Sequence, residues 1–381
     1  MGRRLMKTLS RRSAISLALA APLLTAKWRP AAAAALPEYY PADYSGVIDA
    51  SKAENGVLVY SNVGEMNWRP VLQQFNTVYP WIKVQTLDLS SNEVFERYYA
   101  EQATGKSTVD AVVSHSAATW LDFVDKGNAE PFQSAEDSRL PDWSRPAPNI
   151  YTVSADPYVI AYNKLLLPEA QWPKTVGDIV KLVKDNPGQF DRKIATGQPM
   201  ASAASQNMMA HYVNAVGEER ALAEFAALGP ISDLYRSAGP IMEKITTGEY
   251  LIGYRLSGIQ LFPLIADPTR ASVLGWAFPA DGTLMLMRHI AMAKTVKNRN
   301  STRLLIDFIL SRDGQVALAS GGLMPYRSDV NLPDGPNGYT YQKIAQQIGE
   351  KNIIRTTFEP RLLRPPQELV DKVNAAYKVQ G

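Results

Sequence analysis

Apolar residues along this chain recur in two alternating rhythms. Val57 to Ser61 is a short continuous apolar run, the signature of a buried strand. Trp68 to Phe75 then places Val71, Leu72 and Phe75 on one side, which predicts an amphipathic helix closed by Pro80. Ile82 to Leu87 reads as a second strand, Asn92 to Glu101 as a helix and Asp110 to Ser114 as a third strand. Ala117 to Lys126 reads as a helix stopped at Gly127. Strands alternating with helices at this spacing predict βαβ units around a parallel sheet. Ligands in such sheets sit at the carboxyl ends of strands, beside helix N-termini. Those ends are Ser61-Asn62 and Ser114-His115-Ser116.

A proline-rich polar stretch from Pro131 to Pro148 precedes the longest extended run, Ile150 to Asn163. Its β-branched and aromatic residues predict a strand that leads from one lobe into a second, and so part of a hinge. Asn163 opens a short helical pattern that Pro168 ends. Beyond it, helices are expected over Thr175–Lys184, Ala204–Val216 and Ile241–Thr247. Ile194 ends a short strand, and Tyr250–Tyr254 is another, leading to Arg255-Leu256-Ser257-Gly258. Val273 to Pro279 returns toward the first lobe. Ile290–Lys294 is a strand, and Thr302–Leu310, Thr340–Ile348 and Glu368–Ala376 are helices. Leu36 to Gly56 reads as a loop. The expected organisation is an export signal over 1–35, a first lobe from 36–155 plus 285–381, and a second lobe over 156–284.

Composition changes one part of this picture. The 381 residues are 46% hydrophobic, enough for two ordinary cores. The formal charge of +3 is misleading, because residues 1–35 hold seven Lys/Arg and no acid, which leaves 33 basic against 37 acidic residues afterwards. That balance excludes a nucleic-acid partner. The leader has a basic start, an apolar run from Ala14 to Ala26, and a small-residue tract, Ala31 to Ala35, with cleavage expected near Ala35. The apolar run is well short of the ~20 residues of a membrane span. Ser10-Arg11-Arg12 resembles the opening of a twin-arginine signal, but Ala14 replaces the usual bulky apolar residue, so the export route stays open. With no cysteine, the chain has no disulfide, no thiol for a lipid anchor and no thiolate chemistry. These features predict a free periplasmic protein.

Ala100 to Ser107 fits a permissive phosphate-loop pattern, but it follows a helix and precedes a strand, the reverse of a true P-loop. Ser114-His115-Ser116, at a strand end with a helix after it, offers hydroxyls and backbone N–H groups for an anion, or a simple cap at Ser116. Neighbouring Ser and His do not face each other on a strand, and no nucleophile elbow occurs, so no catalytic residue is expected. His211 reads as packed or surface and His289 as structural, and three scattered histidines give no zinc spacing. No metal and no cofactor are expected. Ser202, in the small-residue loop Gly197 to Ser205, is a cleft wall or a helix cap. Glu65 is a ligand contact or a helix-starting acid. The adjacent Tyr39-Tyr40 is structural or exposed.

The ordered set of pieces resembles the family 1 extracellular solute-binding proteins of ABC importers, in the branch of ferric-ion, phospho-sugar and phosphonate binders. The matching segments are Tyr60-Ser61, Gln74 to Val84, Asp110 to Val113, Tyr162-Asn163, Trp172 to Thr175 and Gly248-Glu249-Tyr250. Asn298, Leu305 to Gln315 and Pro325 to Val330 complete them. The resemblance implies an α/β, two-lobed periplasmic-binding-protein fold of type II. It also implies a monomer that hands its ligand to a membrane permease. Ferric members carry adjacent tyrosines after the Gly-Glu strand; here that region is Tyr254-Arg255-Leu256-Ser257, without the pair. Arg255 suits a carboxylate, phosphate or phosphonate. The expected ligand is therefore a small organic or phosphorylated anion. Its expected contacts are Ser61, Asn62, Glu65, Ser114, His115, Ser116, Ser202, Tyr254, Arg255 and Ser257. The rivals are a ferric-ion binder that uses scattered tyrosines and Glu65, a secreted hydrolase, and a sensory partner of a receptor.

Overall fold

A computed structural model of the chain describes residues 36–378. Its first half runs α1 (Tyr44–Ser51), β1 (Val57–Ser61), α2 (Glu65–Val78), β2 (Val84–Asp88), α3 (Glu93–Ala103), β3 (Ala111–Ser114) and α4 (Ala117–Asp125), then the long β4 (Tyr151–Asn163). There follow α5 (Val176–Asp185), α6 (Pro187–Phe190), β5 (Ile194–Gly197), α7 (Ala203–Val216), α8 (Glu218–Leu228) and β6 (Ser232–Tyr235). Next are α9 (Ala238–Thr246), β7 (Ile252–Ser257), α10 (Gly258–Ile265), α11 (Pro268–Val273) and β8 (Leu274–Ala277). The chain closes with β9 (Thr283–Met292), α12 (Arg299–Leu310), α13 (Arg312–Ser320), α14 (Tyr341–Ile348), β10 (Ile353–Arg355), α15 (Pro360–Leu363) and α16 (Gln367–Ala376).

The local signals act as the sequence suggests at many ends. Thr175 and Asp178 form a reciprocal capping box at α5, and Gly217 ends α7 with φ of +90°. Four expectations fail for identifiable reasons. Asn163 does not start a helix: its Oδ1 accepts the N–H groups of Leu165 and Leu166 at 2.9 and 3.0 Å, closing an Asx turn. Ile194 opens β5 instead of ending a strand. The stretch expected as an N-terminal loop contains α1, pinned by the Tyr44 hydroxyl donating to Asp307 at 2.7 Å. β8 does not return to the first half; it pairs with the carboxyl-terminal half of β4, and β9 makes the return.

Strand register locates the centre of the molecule. The sheet order is β2-β1-β3-β9-β4-β7-β5-β6, with β10 beside β9 and β8 beside β4. β1 is parallel to β2 and β3, and β5 is parallel to β6 and β7. β4 and β9 run antiparallel between these two half-sheets. Ser114, at the carboxyl end of β3, pairs with His289 of β9. Ser257, at the carboxyl end of β7, pairs with Tyr158 of β4. The carboxyl ends of both half-sheets therefore converge on the middle of β4 and β9. Gly258 fixes this junction on the β7 side, because a Cβ there would lie 2.8 Å from the Pro157 carbonyl.

Apolar packing follows the same division. Tyr60, Phe95, Tyr98, Trp120 and Phe123 form one cluster on the first half-sheet. Ile179, Phe190, Phe225, Ile252 and Tyr254 form another on the second, and it takes in Val370, Val373 and Tyr377 of the tail. So α16, expected with the first lobe, packs on α8 of the second half. A further cluster spans both halves along β4 and β9.

Candidate ligand site

The middle of β4 carries polar residues on one face of an otherwise apolar strand. Ser154, Asp156 and Tyr158 alternate onto that face, and Ser154 is paired with Arg288 of β9. Arg288 and Asp156 are 2% and 1% exposed. Arg288 Nε donates to Asp156 Oδ2 at 3.3 Å. The same carboxylate accepts from the Ser154 hydroxyl and the Met324 N–H, both at 2.9 Å. Burial pushes Asp156 above the usual carboxylate range, while the Arg288 charge and these donors pull it back. Asp156 therefore spends its acceptor capacity on holding the arginine.

The other end of Arg288 faces the carboxyl ends of β1 and β3. Nη1 donates to Asn62 Oδ1 at 2.5 Å, with the Asn62 carbonyl and His115 Nδ1 each 3.4 Å away. The Asn62 amide nitrogen bonds His115 Nδ1 in turn. Nη2 of Arg288 meets no acceptor among the described residues. The hydroxyl of Tyr158, half-buried, also has no partner there, and it lies near enough to Arg288 for that charge to be felt. Burial, Arg288 and His289 hold the His115 imidazole down to about 3, so it is neutral over the physiological range. The α4 and α10 N-caps, Ser116 and Ser257, make no side-chain cap bond and leave first-turn N–H groups open. The array is one of donors and positive charge, which suits an anion.

Of the ten residues expected at the site, Asn62 and His115 touch Arg288 directly, and Ser257 ends β7 beside Tyr158. Ser61 and Ser114 lie at the same edge, yet their hydroxyls are used internally. Ser61 Oγ accepts from Trp68 Nε1 at 2.9 Å and Val63 N at 3.0 Å. Ser114 Oγ donates to the Ser91 carbonyl at 2.9 Å and accepts the Ser116 N–H. Ser116 Oγ lies 3.4 Å from Asn92 Oδ1. Glu65 is exposed and pairs with Arg69 one turn along α2. Ser202 is consumed by a capping box with Ser205 at α7.

Arg255 and Tyr254 are engaged elsewhere. Arg255, with φ of +51°, is a buried non-glycine residue in the left-handed region. Its guanidinium centre lies 4.6, 4.8 and 5.3 Å from the ring centroids of Tyr212, Phe225 and Tyr254. Nη1 donates to the Tyr377 hydroxyl at 2.7 Å, and Nη2 is 3.4 Å from Glu224 Oε2. The charge is met inside the second half, and none of its bonds reaches the Arg288 group. Tyr254 bonds Ser232 and Tyr377 within the same core. Asp267 caps α11, its side chain accepting the Thr269 N–H.

The sequence did not single out Arg288, Asp156 or Tyr158 as candidates. One signal was present: the polar Ser154 and Asp156 interrupt an apolar strand at period two, as a strand with one polar face must. Arg288 itself had no local mark. Among the described residues no group of three or more His, Asp or Glu is placed to hold a metal ion. His211 is packed as expected, bonded to Asn207 and Thr357. The phenols of Tyr39 and Tyr40 both donate to Glu136, a structural role.

Residues 71–343 match the profile of a family described as bacterial extracellular solute-binding protein. No curated protein gives a significant match. Among solved structures, a substrate-binding protein of an ABC transporter from Agrobacterium tumefaciens is 21% identical, with a TM-score of 0.73 over 86% of this chain and 97% of its own. Iron-bound HitA from Pseudomonas aeruginosa is 15% identical, with a TM-score of 0.65 over 85% of this chain and 99% of that one. AfuA from Actinobacillus pleuropneumoniae, with fructose-6-phosphate bound, is 17% identical, with a TM-score of 0.63 over 86% of this chain and all of that one. These likenesses are of fold, and they agree with the two-lobed α/β architecture of type II expected from the sequence.

Proposed function

The chain belongs to the bacterial extracellular solute-binding proteins, and from that premise we propose that it captures a small organic anion between its lobes for an ABC importer. Family membership makes it an exported solute-binding protein, not an enzyme. Delivery to a membrane permease, residence in the periplasm and cleavage near Ala35 are parts of the same proposal. The leader lies outside the described residues.

The observation that carries the anion reading is buried Arg288, which keeps one terminal nitrogen free where both half-sheets end. That nitrogen is not sealed from the surface, so a ligand can reach it, whereas the unpaired Nε of Arg255 is sealed inside the core. Asn62, His115, Tyr158 and the open N-termini of α4 and α10 surround the place where that ligand's charge would lie. Arg288 thus takes the role that the sequence suggested for Arg255. The proposed lobes meet along the middle of β4 and β9, near Asp156 and Leu286, and α16 joins the second lobe. A neutral His115 and a fixed guanidinium do not favour a metal cation, which weighs against the ferric reading.

Native mass spectrometry of protein purified from its own periplasm, followed by denaturing release, tests this. A small carboxylate, sulfonate or phosphorylated mass at one per chain is the expected outcome. Iron at one per chain would overturn it.

A further inference from the structure

Resting on that anion reading, we propose that His115 determines specificity by presenting only a donor hydrogen. The site then takes a fully ionised oxyanion and rejects one that still carries an acidic O–H. The protonation pattern follows from Arg288. A guanidinium has donors and no acceptor, so the Asn62 atom 2.5 Å from Nη1 must be the amide oxygen. The amide's NH2 group therefore points at His115 Nδ1 and donates to it. Arg288 Nη1 approaches the same nitrogen at 3.4 Å, again as a donor. With Nδ1 held as an acceptor, the proton of the neutral imidazole sits on Nε2. Nε2 has no partner among the described residues, and it is not sealed off as His289 Nε2 is. A buried arginine thus fixes the direction of every hydrogen bond out to the ligand-facing edge of His115.

The charged and titratable groups around His115 leave that pattern in place. Arg288 and His289 of β9 both disfavour a second proton on the ring. Asp156 lies on the far side of Arg288 with its oxygens already engaged. The phenol of Tyr158 is raised by burial and keeps its hydrogen. A ligand oxygen that meets both Arg288 Nη2 and His115 Nε2 must accept twice. A protonated oxygen there is a weaker acceptor than an anionic one, and its own hydrogen must turn away from both donors.

Two measurements on the full-length mature protein test the inference. Long-range nitrogen–hydrogen NMR of the ligand-free protein at pH 6–8 should show His115 as the Nε2–H tautomer. Titration calorimetry at pH 6 compares methanesulfonate with methylphosphonate, tetrahedral monoanions of which only the second carries an O–H. Methanesulfonate should bind about tenfold more tightly or better, the scale of exchanging a charged acceptor for a neutral one. In His115→Gln, whose amide can turn to accept, the preference should collapse toward parity. An Nδ1–H tautomer, or equal affinities in the unsubstituted protein, overturns the inference while leaving an anion site standing. Failure of both probes to bind, with the Nε2–H tautomer observed, overturns the anion reading and the selection together.

Discussion

Two arginines, one in each half of the molecule, have nearly the same degree of burial and opposite fates. Arg255 is enclosed by three aromatic rings, the Tyr377 hydroxyl and Glu224, and its Nε is buried among them without a partner. Arg288 is tied at one end to Asp156 and at the other to Asn62, and still has a nitrogen to offer. Burial alone therefore does not separate a structural cation from a binding one. What separates them is where the leftover donor lies: Arg255 Nε is sealed in the core without a partner, whereas Arg288 Nη2 is not sealed from the surface. Arg255 builds the join between α8, β7 and the C-terminal helix; Arg288 is the arginine proposed to meet an anion.

The largest expected effect separates the two directly. Arg288→Ala should weaken anion binding by about 2–5 kcal/mol, roughly 30-fold to several thousandfold. Calorimetry with the ligand released from the native protein measures this, and unchanged affinity would end the contrast. Arg255→Leu should do the reverse. It should lower unfolding free energy in urea by about 3 kcal/mol, as a broken buried pair does, and leave anion affinity within twofold (an order-of-magnitude bound).

Acid should also divide the halves. His115 and His289 flank Arg288, and burial holds both near 3, against an ordinary value of 6.5. Below pH 6.5 the unfolded chain takes up protons that the folded chain does not, so their stabilising effect, full above 6.5, is lost as pH falls toward 3. Buried His289 alone should cost about 2 kcal/mol at pH 5. The groups touching Arg255 include no histidine. Hydrogen exchange, corrected for intrinsic rate, should therefore lose protection in β3 and β9 before β7 and α8 between pH 7 and 5. A uniform loss would argue against the division.

The smallest effect sharpens the Arg288 side. Tyr158→Phe removes a hydroxyl with no protein partner among the described residues, so stability should hardly change. Anion affinity should fall by about 0.5–1.5 kcal/mol, the worth of one hydrogen bond. Equal affinity would move the phenol out of the contact set.

The chain's own order determined the alternation of strands and helices and pointed to the carboxyl ends of the strands as the place for a ligand. These depend on periodicity, caps and turn residues that act over a few positions. Asn62 and His115 could be named from sequence for that reason, since they directly follow Ser61 and Ser114, the last residues of β1 and β3. Tertiary structure alone decided which arginine lies at the strand ends beside Asn62 and His115. Arg288 meets Asn62 across 226 positions, and Arg255 meets Tyr377 across 122. No local pattern encodes such partners, because a buried charge is assigned its role by whichever distant groups the fold brings within hydrogen-bond reach. The same reason hid α16, whose apolar side reads identically whichever lobe it covers, and Ser202, whose hydroxyl chose a neighbouring cap over the cleft.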